Sequence, residues 1–124
     1  MKCPKCSSQM EQVSHHGIDA QRCTHCEGIW FESRKHDKLA RLTRSEQIDT
    51  GSHRLGKEYD RVDHITCPDC GTPMVRMVDS TQSHIHYESC TVCGGVFFDA
   101  GEYSDYKRRT PLDFLRDLIT GERD

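Results

Sequence analysis

Eight cysteines set out as four C-x-x-C pairs constrain this chain more than anything else in it. Cys3-Pro-Lys-Cys6 and Cys23-Thr-His-Cys26 form one set; Cys67-Pro-Asp-Cys70 and Cys90-Thr-Val-Cys93 form the other. The spacers between pairs are 16 residues (7–22) and 19 residues (71–89), within or close to the range of a four-cysteine zinc site. Each second pair runs into the same apolar tetrad, Gly28-Ile29-Trp30-Phe31 and Gly95-Val96-Phe97-Phe98. The chain is one unit written twice, with no cysteine left over.

That frame matters because the chain is poor in core material. Of 124 residues, 34% are hydrophobic and 7% aromatic, against 30% charged. A unit of roughly 35–40 residues seldom folds on apolar burial alone. A structural zinc site supplies an apparent ~10–16 kcal/mol of binding free energy coupled to folding. The expectation is therefore a small α+β fold of two metal-nucleated zinc ribbons with two structural Zn²⁺. Ribbon 1 spans 1–33, a basic helix and linker 34–63, ribbon 2 64–103, and a C-terminal helical tail 104–124. Four thiolates leave no open coordination position, which points to a structural metal rather than a catalytic one. Iron competes, because tetrahedral four-sulfur sites suit either metal.

Local patterning fills in each ribbon. In the first, strands over Gln9–His15 and Ile18–Arg22 flank a tight turn at His16-Gly17, with a short third strand at Ile29–Phe31. In the second, Pro73–Val78 and His84–Glu88 flank a longer turn, and Val96–Phe98 is the third strand. Gly94 and Gly95 supply positive φ angles for the knuckle. Asp99-Ala-Gly-Glu102 has the form of a capping box, with Asp99 as N-cap of a helix reaching about Arg109. Ser33 caps a second helix running to Gln47 or Ile48, on which Arg34, Lys38 and Arg41 share one face. Thr50–Asp63, with Gly51 and Gly56, reads as a linker. Thr110-Pro111 starts a last, apolar helix carrying Leu112, Phe114, Leu115, Leu118 and Ile119.

Charge narrows the partners. The formal charge is −3, and two zinc tetrathiolates bring it to about −7, so the chain is no general polyanion binder. Residues 34–44 nevertheless concentrate Arg34, Lys35, Lys38, Arg41 and Arg44 against Asp37 alone. Arg34, Lys38, Arg41 and Arg44 are the candidate contacts to phosphate or to an acidic partner; the bland alternative is a solvated helix face. No stretch approaches the ~18 apolar residues of a membrane span, and no signal-peptide h-region opens the sequence. A cytoplasmic protein with reduced, metal-binding thiols is expected.

Other residues offer sharper readings beside plain ones. His84 and His86 lie two apart on a strand and would face the same way, as a second metal or catalytic site or as exposed hairpin positions. Trp30, Phe31, Phe97 and Phe98 would make a base-stacking platform or the core itself.

The assembled motifs resemble the bacterial transcription-factor zinc-finger family, named for the zinc ribbon of transcription factor IIB. Its pattern is met by Cys67, Pro68, Cys70, Met74, Cys90, Cys93, Gly95, Val96, Phe97, Asp99, Gly101 and Glu102. It is met again by Cys3, Pro4, Cys6, Met10, Cys23, Cys26, Gly28, Ile29 and Trp30, departing at Ser33-Arg34-Lys35. The resemblance implies zinc at all eight cysteines and the ribbon fold, and its name suggests transcription and nucleic acid. The expected output is binding rather than catalysis, to nucleic acid or a protein partner and with no small-molecule substrate. The alternatives are a protein-interaction adaptor without nucleic acid, or a small metalloenzyme using His84 and His86.

Overall fold

The computed structural model describes residues 1–33, 35–42, 44–62, 64–79 and 85–107. The proposed C-terminal helix, Arg34 and His84 lie outside them. Each ribbon is a three-stranded antiparallel meander: β1 (Met10–His15), β2 (Ile18–Cys23) and β3 (Ile29–Phe31), then β4 (Val75–Val78), β5 (His86–Ser89) and β6 (Val96–Phe98). All six strands fall where the alternation and turn residues place them, within two residues at each end.

The two ribbons share one sheet. β3 pairs with β6, giving a single six-stranded sheet in the order β1-β2-β3-β6-β5-β4. The central register is Ile29↔Phe98, Trp30↔Phe97 and Phe31↔Val96, so equivalent strands meet head to tail about a pseudo-twofold axis. A three-residue apolar strand left as a sheet edge would expose both its backbone groups and its side chains. Pairing one copy with the other removes both edges at once.

Alternation along β3 and β6 then builds two cores. Ile29, Phe31, Val96 and Phe98 join Leu39, Leu42, Ile48, Ile85, Tyr103 and Tyr106 on the helical face. Trp30 and Phe97 join Met10, Ile65, Met74 and five of the cysteines on the metal face. Trp30, Phe31, Phe97 and Phe98 are all 0% exposed, which rules out the stacking platform: with both faces covered, no ring is left for a base.

The knuckle glycines divide their work. Gly94 takes the positive φ, at 79°; Gly95 does not, and it is glycine because a Cβ there would lie 2.2 Å from the Trp30 ring. Gly28 mirrors it, where a Cβ would lie 2.3 Å from the Phe97 ring. Each ribbon's knuckle is thus cut away to admit the other ribbon's aromatic.

The helices depart further from expectation. The long basic helix is broken into α1 (Lys35–Ala40) and a 3₁₀ turn at Ser45–Ile48. Arg44 between them adopts φ 67°, turning the chain so that Leu39, Leu42 and Ile48 all reach the core. The expected linker contains α2 (His53–Asp60), N-capped by Ser52, whose Oγ accepts from the Leu55 amide at 3.2 Å. α3 (Glu102–Lys107) follows β6 as α1 follows β3. The two helices tie together: Lys107 Nζ donates to the Ala40 and Leu42 carbonyls at 2.9 and 2.8 Å, Tyr103 to Ser45 Oγ at 3.1 Å, and Tyr106 to Asp37 Oδ1.

The capping box does not form. Asp49 caps α3 instead, its two oxygens accepting from the Gly101 and Ser104 amides, each at 2.9 Å; such a cap is worth about 1 kcal/mol. Glu102 Oε1 accepts from the His86 amide at 3.2 Å, and Asp99 pairs with Lys5. A carboxylate that a buried ammonium claims is not available to its own helix.

Candidate metal centres

Each ribbon brings its two knuckles together at one end of the sheet. Cys3, Cys6, Cys23 and Cys26 converge, as do Cys67, Cys70, Cys90 and Cys93, with all four sulfurs of each set within 4.8 Å of one another. The turns that achieve this are closed by backbone bonds of one form. Ser7 N donates to Cys3 O at 2.9 Å and Gly71 N to Cys67 O at 2.9 Å, while Cys23 N and Cys90 N donate to Gly28 O and Gly95 O at 2.8 and 2.9 Å.

The donor set fits zinc. Closest sulfur pairs stand at 3.6 Å (Cys3–Cys26), 3.4 Å (Cys6–Cys23) and 3.7 Å (Cys67–Cys93). A tetrahedral ion with Zn–S bonds of ~2.3 Å asks for about 3.8 Å. Backbone amides aim at the sulfurs: Lys5 N to Cys3 at 3.4 Å, His25 N and Cys26 N to Cys23 at 3.3 and 3.4 Å. In the second ribbon Cys70 N, Cys93 N and Gly95 N donate to Cys67, Cys90 and Cys93 at 3.3, 3.5 and 3.4 Å. Donors pointed at sulfur favour thiolate, the form that binds metal.

Crowded sulfurs push one another apart in acidity. Cys3, paired with Cys26 and accepting from the Lys5 and Cys6 amides, is pulled down to about 5. Cys26, in contact with Cys3 and itself buried, is pushed up. In the second cluster the Cys93 amide and the Thr72 hydroxyl draw Cys90 down to about 6, while Cys70, crowded by the Cys93 sulfur, is pushed up to about 12. Four thiolates this close require a cation among them.

The motif pattern, the paired sulfur tetrahedra and the ribbon topology agree with the comparison to known families. The model for the transcription factor zinc-finger, a zinc ribbon of the TFIIB type, matches residues 2–42 and 66–109. The chain belongs to that family. It carries two copies of the domain and two structural zinc sites. No curated protein and no solved structure matches the chain.

The remaining candidates of this tandem zinc ribbon fall out differently. Lys38, Arg41 and Arg44 are exposed, but the break after Ala40 dissolves the single helical face expected of them. His86 is half-buried on β5. His25 lies exposed in its knuckle, its ring 6.0 Å from that of Tyr59. Among the described residues, the two cysteine sets are the clusters of ligating side chains close enough to hold a metal ion.

Sequence reasoning missed the charged centre between the ribbons. Lys5 Nζ, with its side chain fully buried, lies 2.9 Å from Asp99 Oδ2 and 3.2 Å from Glu88 Oε2, and it donates to the Tyr59 carbonyl at 3.1 Å. Burial pushes Asp99 up to about 7 against the pull of Lys5, and raises Glu88 for the same reason. The sequence carries a faint signal: Lys5 of the first C-P-x-C motif is replaced by Asp69 at the matching position of the second, a reversal of charge inside an otherwise repeated motif.

Proposed function

We propose that this tandem zinc ribbon is a binding module of the transcription machinery whose contact to nucleic acid runs through the basic segment after ribbon 1. One observation carries the reading. Lys38, Arg41 and Arg44 are exposed while Leu39, Leu42, Ser45 and Ile48 of the same stretch are buried, so the charges stand on an anchored scaffold. Arg34 extends the run in sequence. Both zinc ions are enclosed by four thiolates, and a closed site supports scaffolding rather than catalysis. Thiolate ligation on this scale also supports a reducing, cytoplasmic setting. No helix among the described residues is long and apolar enough to cross a membrane.

The test is retention on DNA and RNA as a function of salt. Each phosphate neutralised contributes about 0.9 to the slope of log affinity against log salt on duplex DNA. Binding that disappears in the triple variant Lys38→Glu/Arg41→Glu/Arg44→Glu, with both zinc ions retained, supports the proposal. No retention of the native protein at low salt overturns it.

A second reading has its own observation. β4 lies at the outer edge of the sheet with Val75, Met77 and Val78 exposed at 44, 40 and 49%. Apolar side chains on an open strand suit a protein partner, and that adaptor reading takes over if nucleic acid fails.

A further inference from the structure

We propose that the two zinc sites bind metal cooperatively, with Lys5 of the first knuckle as the link between them. Lys5 lies between two zinc ligands, and its amide donates to Cys3 Sγ at 3.4 Å, so a closed knuckle fixes where its side chain starts. That side chain crosses into the other ribbon and ends between Asp99, directly after β6, and Glu88, two residues before Cys90.

The arrangement runs one way. The equivalent position in the second knuckle is Asp69, which is exposed, so among the described residues it makes no matching buried strut. Glu88 Oε1 and Asp99 Oδ1 are buried and have no hydrogen-bond partner among the described residues. Arg76 stands 3.6 Å from Glu88 and is itself one-third exposed. Lys5 is thus the buried cation on which two buried carboxylates of ribbon 2 depend, and removing one partner of such a group leaves uncompensated charge in the interior.

Opening the first knuckle therefore withdraws Lys5 and loosens the strand that leads into Cys90. Linkage makes the effect mutual: a ribbon 2 held by its own zinc presents Glu88 and Asp99 to Lys5 and favours closure of the first knuckle by the same factor. The metal-side core supplies the stiffness this needs, since Cys3, Cys23 and Cys26 share it with Cys67 and Cys90 around Trp30 and Phe97.

The experiment uses the full chain, a competing chelator and native mass spectrometry to count zinc ions. At half saturation, identical independent sites would leave about half the chains with one ion; coupling of the usual 5- to 150-fold size lowers that share well below half. Disabling site 1 by Cys6→Ser/Cys23→Ser is expected to weaken Zn²⁺ binding at site 2 by roughly 5-fold or more. Because Lys5→Met alone strands two carboxylates, the informative background is Lys5→Met/Glu88→Gln/Asp99→Asn, which removes all three charges. There the loss of site 1 is expected to change site 2 by less than about 2-fold. An unchanged site 2 affinity in the native background overturns the proposal. So does an equal drop in the charge-free background, which would move the coupling into the aromatic core.

Discussion

The two ribbons share a cysteine frame, a strand order and a following helix, yet their metal sites meet water differently. In the first, Cys3, Cys23 and Cys26 are buried and Cys6 is half-buried; in the second, Cys67 and Cys90 are buried, Cys93 is half-buried and Cys70 is exposed. The repeat does not make this difference. Tyr59, from α2 in the connecting segment, packs against the metal-side core and meets His25 of the first knuckle. What lies outside the duplicated unit decides how well each copy is shielded. A motif of this kind specifies where its metal goes and leaves protection of the site to the rest of the chain.

Three measurements test how alike the two copies are. The largest effect belongs to metal removal. Stripping both ions with a strong chelator forfeits binding energy on the order of 10–16 kcal/mol per site, and the far-ultraviolet circular dichroism and melting transition should collapse together. A surviving transition would mean that the shared apolar cores suffice without metal.

Next come the paired glycines. Gly95→Ala drives a methyl into Trp30, and Gly28→Ala drives one into Phe97. Overpacking of this kind costs about 1–3 kcal/mol, and both variants should lower one common melting transition by similar amounts. Two transitions that shift separately would show ribbons that fold independently.

The smallest effect is one of rate. Limited alkylation followed by peptide mapping should modify Cys70 first, several-fold (~3–10) ahead of any cysteine of the first cluster, because access governs thiolate reactivity once ligation is shared. Equal labelling of the two clusters would remove the contrast.

The strands and zinc ligands could be read from the sequence because both obey short-range rules. A C-x-x-C pair needs only its own turn, and Ile29–Phe31 or Val96–Phe98 needs only alternation to be recognised. The joining of the copies was illegible for the opposite reason. β3 and β6 carry apolar residues on both faces, which signals a doubly covered strand, but nothing local says that the cover comes from the other copy. The same blindness explains Asp99 and Glu102. Their spacing satisfies a capping box, and only the approach of Lys5 and of the His86 amide in three dimensions redirects them. Asp49 took over the cap from 52 residues away, a distance across which no pattern extends. The basic helix failed on energetics: burying Leu39, Leu42 and Ile48 outweighs continuing a helix whose apolar stripe is thin.

The β3–β6 seam makes the covalent connection between ribbons a convenience rather than a requirement. Halves cleaved near Thr50, each charged with its own zinc, would be expected to find one another in dilution and rebuild the six-stranded sheet, in the manner of a split reporter. By the same logic, a chain carrying one such ribbon has a ready template for self-association, with the neighbour's aromatic filling the notch its own knuckle glycine leaves open.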